Sequence, residues 1–68
     1  MSRKILTKRE DEVFSLLVKN NTTKEIAEFL DISEKTVRIY ISNVVQKLGV
    51  KGRAQAVVEL IRLGNITL

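Results

Sequence analysis

The sequence contains no cysteine and no histidine. These absences exclude disulfide bonds and the common zinc sites, which are built from Cys and His ligands. Proline is also absent, and only three glycines occur. A chain of 68 residues is enough for one domain, and a core of this size rarely stabilises a fold by more than ~3–5 kcal/mol. The stability must therefore come from close helix packing, from association with a second chain, or from both.

Long apolar runs are missing as well. The first seven residues contain no apolar stretch of the length found in a signal peptide. Nowhere do about 20 apolar residues follow one another, so we expect no segment that spans a membrane. These features predict a cytoplasmic protein.

The chain offers no set of residues suited to catalysis. It has neither His nor Cys, it has no glycine-rich phosphate loop, and it is too short to enclose a pocket. Glu10, Asp11 and Glu12 are consecutive, so on a helix they point in different directions and cannot act as a carboxylate pair. We therefore predict that the protein is not an enzyme and that it uses no metal or other cofactor.

The charged residues are distributed unevenly. Most of the acids lie in residues 10–34, whereas residues 35–53 contain five Lys and Arg residues and no acid. Such a segment, in a chain of net charge +4, is typical of a protein that binds a polyanionic partner. A solvated basic helix face would give the same pattern, so charge alone does not decide between the two.

Caps and apolar spacing predict two helices in the first half of the chain. Thr7 and Glu10 form one capping box, and Thr22 and Glu25 form a second. The first helix is expected to stop at Asn20-Asn21, because Asn tolerates the left-handed conformation that ends helices. The apolar positions predicted for these helices are Val13, Phe14, Leu16, Leu17, Ile26, Phe29 and Leu30.

A third helix is predicted between its N-cap, Ser33, and its terminating glycine, Gly49. One buried stripe on it has helical spacing and consists of Val37, Ile41, Val44, Val45 and Leu48. The opposite side carries Lys35, Arg38, Ile39, Ser42 and Gln46. A fourth helix is predicted from about Arg53 to Leu63, with Gly64 as its stop.

The second and third helices, joined by the three-residue connection Asp31-Ile32-Ser33, form a predicted helix-turn-helix. Asp31 stands where many such units have glycine, so we expect it to adopt the left-handed conformation. The predicted fold is all-α, a four-helix bundle with a central helix-turn-helix. It forms a single domain over residues 1–68, in which residues 1–5 are expected to be flexible.

From Leu6 to Leu68 the chain resembles the LuxR-type helix-turn-helix family. The resemblance is carried by Leu6–Val13, Thr23–Ala27, Ile32–Arg38 and Lys47–Val57. It is strongest to a small sporulation regulator of that family. The resemblance implies a stand-alone, sequence-specific DNA-binding transcriptional regulator of late sporulation genes, located in the bacterial cytoplasm with the nucleoid. It also implies binding as a dimer to a pseudo-palindromic site in double-stranded DNA.

Other interpretations stay open at this point. The chain would look similar if it were the excised effector domain of a response regulator or of a quorum-sensing regulator. A helical protein-interaction module would explain the apolar helix faces but not the acid-free segment. A σ-factor-like promoter domain shares the helix-turn-helix, but the residues after Gly49 fit it less well.

The resemblance assigns the third helix to the major groove. Arg38 suits guanine, whose O6 and N7 accept two hydrogen bonds, and Ile39 suits the methyl group of thymine. The predicted base contacts are Lys35, Arg38, Ile39 and Ser42. The predicted phosphate contacts are Thr22, Thr23, Lys24, Thr36, Tyr40, Asn43, Lys47 and Lys51. Tyr40 departs from the His that many relatives have at this position.

The fourth helix has two apolar faces, whereas a surface helix needs only one. The family pattern directs Ala56, Val57 and Leu60 toward the core. The other face is then the predicted homodimer interface, formed by Ala54, Val58, Ile61 and Arg62. RNA polymerase is a further expected partner, and we expect no association with a membrane.

Overall fold

The structure is a computed structural model that describes residues 5–67. Within this range the chain forms four helices and no strand. The helices are α1 (Lys8–Val18), α2 (Thr23–Leu30), α3 (Glu34–Leu48) and α4 (Arg53–Arg62). The predicted all-α fold with four helices is confirmed. None of the helices in the described range is both long and apolar enough to cross a membrane.

Hydroxyl caps fix the N-terminal ends of the first three helices. The Thr7 hydroxyl accepts the backbone N–H of Glu10 at 3.2 Å, and the Glu10 carboxylate accepts the backbone N–H of Thr7 at 3.0 Å. Thr22 and Glu25 repeat this arrangement at 3.1 and 2.8 Å. The Ser33 hydroxyl accepts the backbone N–H of Thr36 at 3.0 Å. Each cap satisfies backbone donors that a helix cannot satisfy itself, as predicted.

Left-handed residues mark the ends of the first three helical segments. Asn20 has φ 70°, Asp31 has φ 57° and Gly49 has φ 68°. Asp31 carries the turn of the helix-turn-helix in the conformation predicted for it, because a short polar side chain tolerates this region better than most. The turn therefore forms without glycine.

The helix α3 lies at the centre of the bundle, where it contacts α1, α2 and α4. Its buried stripe contains Val37, Ile41 and Val44, with Val45 and Leu48 partly buried against the core. The largest fully buried side chains of the domain are Phe14, Ile26, Leu60, Val13, Val37 and Val44. Side chains from all four helices thus hold α3 in place.

One of the apolar positions predicted for α2 is not buried. The side chain of Phe29 is 76% exposed, although its spacing from Ile26 suggested an apolar helix face. Successive helix residues turn by about 100°, so Phe29 lies about 60° from Ile26, on the side away from the buried Ala27. The helix α2 packs mainly against α1 and α3, and these neighbours leave Phe29 exposed.

The two ends of the described chain meet. The backbone N–H of Ile5 donates to the Asn65 side-chain oxygen at 2.8 Å, and Leu6 and Ile66 are buried beside this contact. The expected flexibility of residues 1–5 concerns mainly residues 1–4, which lie outside the described residues. Ile5 itself is half-buried.

Candidate nucleic-acid interface

The outer face of α3 presents the four predicted base-contact residues together. Lys35, Arg38, Ile39 and Ser42 are all exposed, and Ile39 is 48% exposed despite its apolar side chain. The inner face of the same helix is anchored by fully buried Val37 and Val44. The exposed side chains therefore stand on a helix of about 22 Å whose orientation the core fixes.

A loose ion pair lies at the start of this face. The Arg38 guanidinium is 3.9 Å from the carboxylate of Glu34, one turn earlier, and both side chains are about half exposed at 58% and 48%. Exposed pairs of this kind contribute little to stability. Arg38 can thus exchange Glu34 for another acceptor at small cost.

Several of the predicted phosphate contacts already have a structural part. Thr22 is the N-cap of α2. The Thr36 hydroxyl is hydrogen-bonded to the Ser33 hydroxyl at 2.8 Å, and Tyr40 is partly buried against the core. The Thr23 hydroxyl accepts from the Arg53 guanidinium at 3.4 Å. Lys24, Asn43 and Lys51 are exposed.

Lys47 has a contact that the sequence did not predict. Its ammonium donates to the Glu10 carboxylate at 2.7 Å and to the backbone carbonyl of Ile5 at 3.2 Å. Glu10 is only 4% exposed. The pair therefore ties the last turn of α3 to the first turn of α1. The capping box drew attention to Glu10, but no local pattern indicates which distant lysine reaches it.

Opposing effects act on the Glu10 carboxyl. Burial raises its pKa, but the hydrogen bond from Lys47, the backbone N–H of Thr7 and the positive charge of Lys47 outweigh burial and hold the pKa below its ordinary value. The neighbouring acids have separate partners: Asp11 accepts from Ser15 at 3.3 Å, and Glu12 lies 3.5 Å from Arg9. The three consecutive acids therefore do not converge on one site.

The helix α4 directs toward the core the three side chains that were predicted for that face. Ala56 and Leu60 are fully buried, and Val57 packs partly against the core. On the other face Val58 is 64% exposed, and Ala54 is exposed too. A shallow groove runs along this face and is lined by Val50, Ala54, Gln55, Val58 and Glu59.

The remaining residues of the predicted interface differ in how exposed they are. Ile61 is half-buried and packs against the core. Arg62 is exposed and is hydrogen-bonded to Glu59 one turn earlier. That hydrogen bond is the main cause that lowers the pKa of Glu59 and raises the pKa of Arg62. The exposed apolar part of this surface is thus centred on Val58.

Comparison with known proteins supports the predicted resemblance. Residues 4–60 match the family described as "Bacterial regulatory proteins, luxR family". The chain is 69% identical over 67 residues to the spore germination protein GerE of Bacillus subtilis, a match that covers 98% of this chain and 90% of that protein. It is 50% identical over 60 residues to the transcriptional regulatory protein DegU of Brevibacillus brevis, covering 88% of this chain but 25% of that protein.

The fold agrees with this relationship. A solved structure, described as "Structure of Transcription factor, GerE", is similar with a TM-score of 0.92 and 58% sequence identity. The match covers 96% of this chain and 97% of that chain. The chain belongs to the luxR family of bacterial regulatory proteins.

Proposed function

We propose that the protein is a sequence-specific DNA-binding regulator of transcription that inserts the outer face of α3 into the major groove. One observation carries the proposal: four exposed side chains that suit base edges stand together on a helix held rigidly by the core. This face belongs to the segment 35–53, which contains no acid. A basic helix surface of this kind complements the phosphates on both sides of a groove.

In this proposal the side chains of α3 read the bases. The fork of Arg38 donates two hydrogen bonds to guanine O6 and N7, and Ile39 packs against a thymine methyl group. Lys35, in the first turn of α3, reaches a base edge or the adjacent phosphate. Ser42 lies one turn beyond Arg38 and extends the contact along the groove.

The phosphate contacts position the helix without reading sequence. The N-terminus of α2 brings Thr22, Thr23 and Lys24 to one strand, where the helix dipole favours a phosphate. The other members of this set are Thr36, Tyr40, Asn43, Lys47 and Lys51. The ammonium of Lys47 has three donors, of which two are used within the domain by Glu10 and Ile5.

Two copies bind one site in this proposal. The exposed apolar surface of Ala54 and Val58, with Ile61 and Arg62, meets the same surface of a second chain across a two-fold axis. The two α3 helices would then enter major grooves about one helical turn apart, on a pseudo-palindromic site. The resemblance to GerE supports a regulator of late sporulation genes that acts on RNA polymerase from the bacterial cytoplasm.

A DegU-like arrangement, with this domain as the effector part of a longer regulator, would leave the DNA-binding chemistry unchanged. In either arrangement the domain supplies the contacts to DNA.

The salt dependence of DNA binding tests the proposal. If a dimer neutralises roughly 8–12 phosphates, log K falls with log salt at a slope of about −7 to −11. The affinity for labelled duplex DNA is measured by fluorescence anisotropy at several KCl concentrations. Lys51→Gln should reduce the slope by about two, one phosphate in each half-site. Arg9→Gln, on α1 outside the proposed interface, is the control and should leave the slope unchanged. A wild-type slope near zero would contradict DNA binding.

A further inference from the structure

The outer face of α3 begins with an acid. Glu34 is the first residue of α3 and the only acid in this helix. The Arg38 guanidinium lies 3.9 Å from the Glu34 carboxylate, and both side chains are about half exposed. The two residues are one helical turn apart, and side chains on a helix lean toward its N-terminus, so Arg38 leans toward Glu34. A carboxylate therefore stands beside the arginine that is proposed to bind guanine.

The fold does not depend on the contact between Glu34 and Arg38. The N-cap of α3 is Ser33, whose hydroxyl accepts the backbone N–H of Thr36 at 3.0 Å. A negative charge in the first turn suits the helix dipole, but this effect requires a charge and not a contact with Arg38. An exposed ion pair of this kind also adds little stability. The pair therefore matters more for the surface of α3 than for its folding.

A carboxylate on this surface opposes DNA binding. The segment that follows it, residues 35–53, contains no acid, and DNA phosphates repel a negative charge. The repulsion is smallest while the Arg38 guanidinium stays beside Glu34, because the pair then carries no net charge. Glu34 therefore favours the bound states in which Arg38 remains its partner.

The guanidinium of Arg38 has enough donors to bind guanine and to keep Glu34. It carries five N–H donors, and guanine O6 and N7 accept two of them. The other donors stay available to the carboxylate one turn earlier. Phosphates lie at the rims of the groove, so a contact with a phosphate draws the guanidinium sideways and leaves the carboxylate unpaired beside the DNA. The pair therefore favours the guanine contact over a phosphate contact.

We propose that Glu34 is a positioning residue for sequence discrimination: its carboxylate holds the Arg38 guanidinium over the base edges and disfavours phosphate contacts by Arg38. This inference rests on the proposed function, since it requires α3 to lie in the major groove. Specificity is a difference between two binding free energies, so a residue can raise specificity while it lowers both affinities. Glu34 weakens non-specific binding more than it weakens binding to the specific site.

The test compares the affinities of the protein for two duplexes of equal length, the site selected from random DNA and a scrambled version of it. Both are measured by fluorescence anisotropy at one KCl concentration, and circular dichroism confirms that each variant is folded. Glu34→Gln keeps the size of the side chain but removes its charge. It should raise the affinity for the scrambled duplex about tenfold and the affinity for the site about threefold or less. The ratio of site affinity to scrambled affinity should therefore fall about threefold or more.

Matched variants show whether Glu34 acts through Arg38. In an Arg38→Ala background, Glu34→Gln should leave the affinity ratio unchanged, because no guanidinium remains to be positioned. Glu34→Asp keeps the charge but shortens the side chain by one methylene, so it should lower the ratio although the net charge is unaltered. Glu12→Gln removes the acid of another exposed pair, on α1 and 3.5 Å from Arg9, and should leave the ratio as in the wild type.

Each other outcome overturns the inference in a distinguishable way. Equal increases of both affinities in Glu34→Gln would make Glu34 a simple repulsive charge, and an unchanged ratio in Glu34→Asp would assign its effect to charge rather than to position. A fall in the ratio that persists in the Arg38→Ala background would show that Glu34 contacts a base itself, such as the amino group of cytosine. A wild type that binds neither duplex, or binds both equally, would instead refute the proposed function.

Discussion

Replacing Lys47 with methionine tests whether the buried carboxylate of Glu10 joins α1 to α3. The change keeps an unbranched apolar side chain close to the length of the lysine's aliphatic part but removes the ammonium that lies 2.7 Å from Glu10. Among the described residues Glu10 would then retain its contact with Thr7, whose backbone N–H donates to it at 3.0 Å, in a site where the Glu10 side chain is 6% exposed. A buried charge without its counter-charge is strongly destabilising.

The expected cost follows from the exposure of the two partners. Removing one partner of a fully buried pair costs about 3–5 kcal/mol. The Lys47 side chain is 36% exposed, so water screens part of the pair and relaxes around the remaining carboxylate. We therefore expect Lys47→Met to lower the free energy of unfolding by about 1–2 kcal/mol. For a domain of this size that lowers the Tm by roughly 4–16 °C.

A double-mutant cycle isolates the pair from the capping box. Glu10→Gln keeps an oxygen for the Thr7 N–H, and it is combined with Lys47→Met in urea unfolding at pH 7, followed by circular dichroism at fixed protein concentration. The cycle should give a coupling energy of about 1–2 kcal/mol. The exposed pair of Arg9 and Glu12, 3.5 Å apart, is the control and should give less than about 0.5 kcal/mol. Equal coupling in the two cycles would refute the inference that burial makes the Glu10 pair the stronger one.

Three further predictions concern acid stability, self-association and the turn. The pKa of Glu10 is lowered in the folded state, so its ionised carboxylate contributes full stability above the ordinary value of 4.5. This contribution is lost as the pH falls through the lower folded-state pKa. Unfolding titrations should therefore show that wild type loses its extra free energy of unfolding relative to Glu10→Gln only below pH 4.5. Val58→Glu places a charge on the exposed face of α4, so sedimentation should show a folded protein that self-associates less. Its affinity for the specific DNA site should fall more than its affinity for non-specific DNA. Normal dimerisation of the variant would exclude this face of α4 as the dimer interface. Asp31→Gly removes the steric cost of a side chain in the left-handed conformation at φ 57° and should raise the free energy of unfolding by about 0.5–1 kcal/mol. A lower free energy of unfolding would mean that the Asp31 side chain stabilises the turn.

Features set by a few neighbouring residues were predictable from the sequence. The caps at Thr7, Thr22 and Ser33 and the left-handed Asp31 depend on contacts within one turn of chain. The buried stripe of α3 follows from helical periodicity in the same way. Because the outer face of α3 is defined by that stripe, the exposure of Arg38 and Ile39 was also predictable.

Features that depend on how the helices pack were not predictable. The sequence does not specify that α1 and α3 meet where Glu10 reaches Lys47, 37 residues away. The same holds for Asn65, which meets Ile5 across 60 residues. Phe29 has the spacing of a core residue, but the short α2 has too few neighbours to cover it. The residues that would contact DNA or a second chain follow from the resemblance and from exposure, and they remain predictions.

The base preference of Arg38→Ala tests the central claim, that the outer face of α3 reads DNA sequence. Sites are selected from random duplex DNA, and wild type, Arg38→Ala and the control Thr36→Ala are titrated against the selected site and all its single-base variants. Arg38→Ala should lose ~1–3 kcal/mol on the selected site and should no longer discriminate at one base pair of each half-site. Thr36→Ala should weaken binding to every sequence about equally, because phosphate contacts carry no sequence information. An Arg38→Ala protein that keeps the full wild-type base preference would contradict the claim.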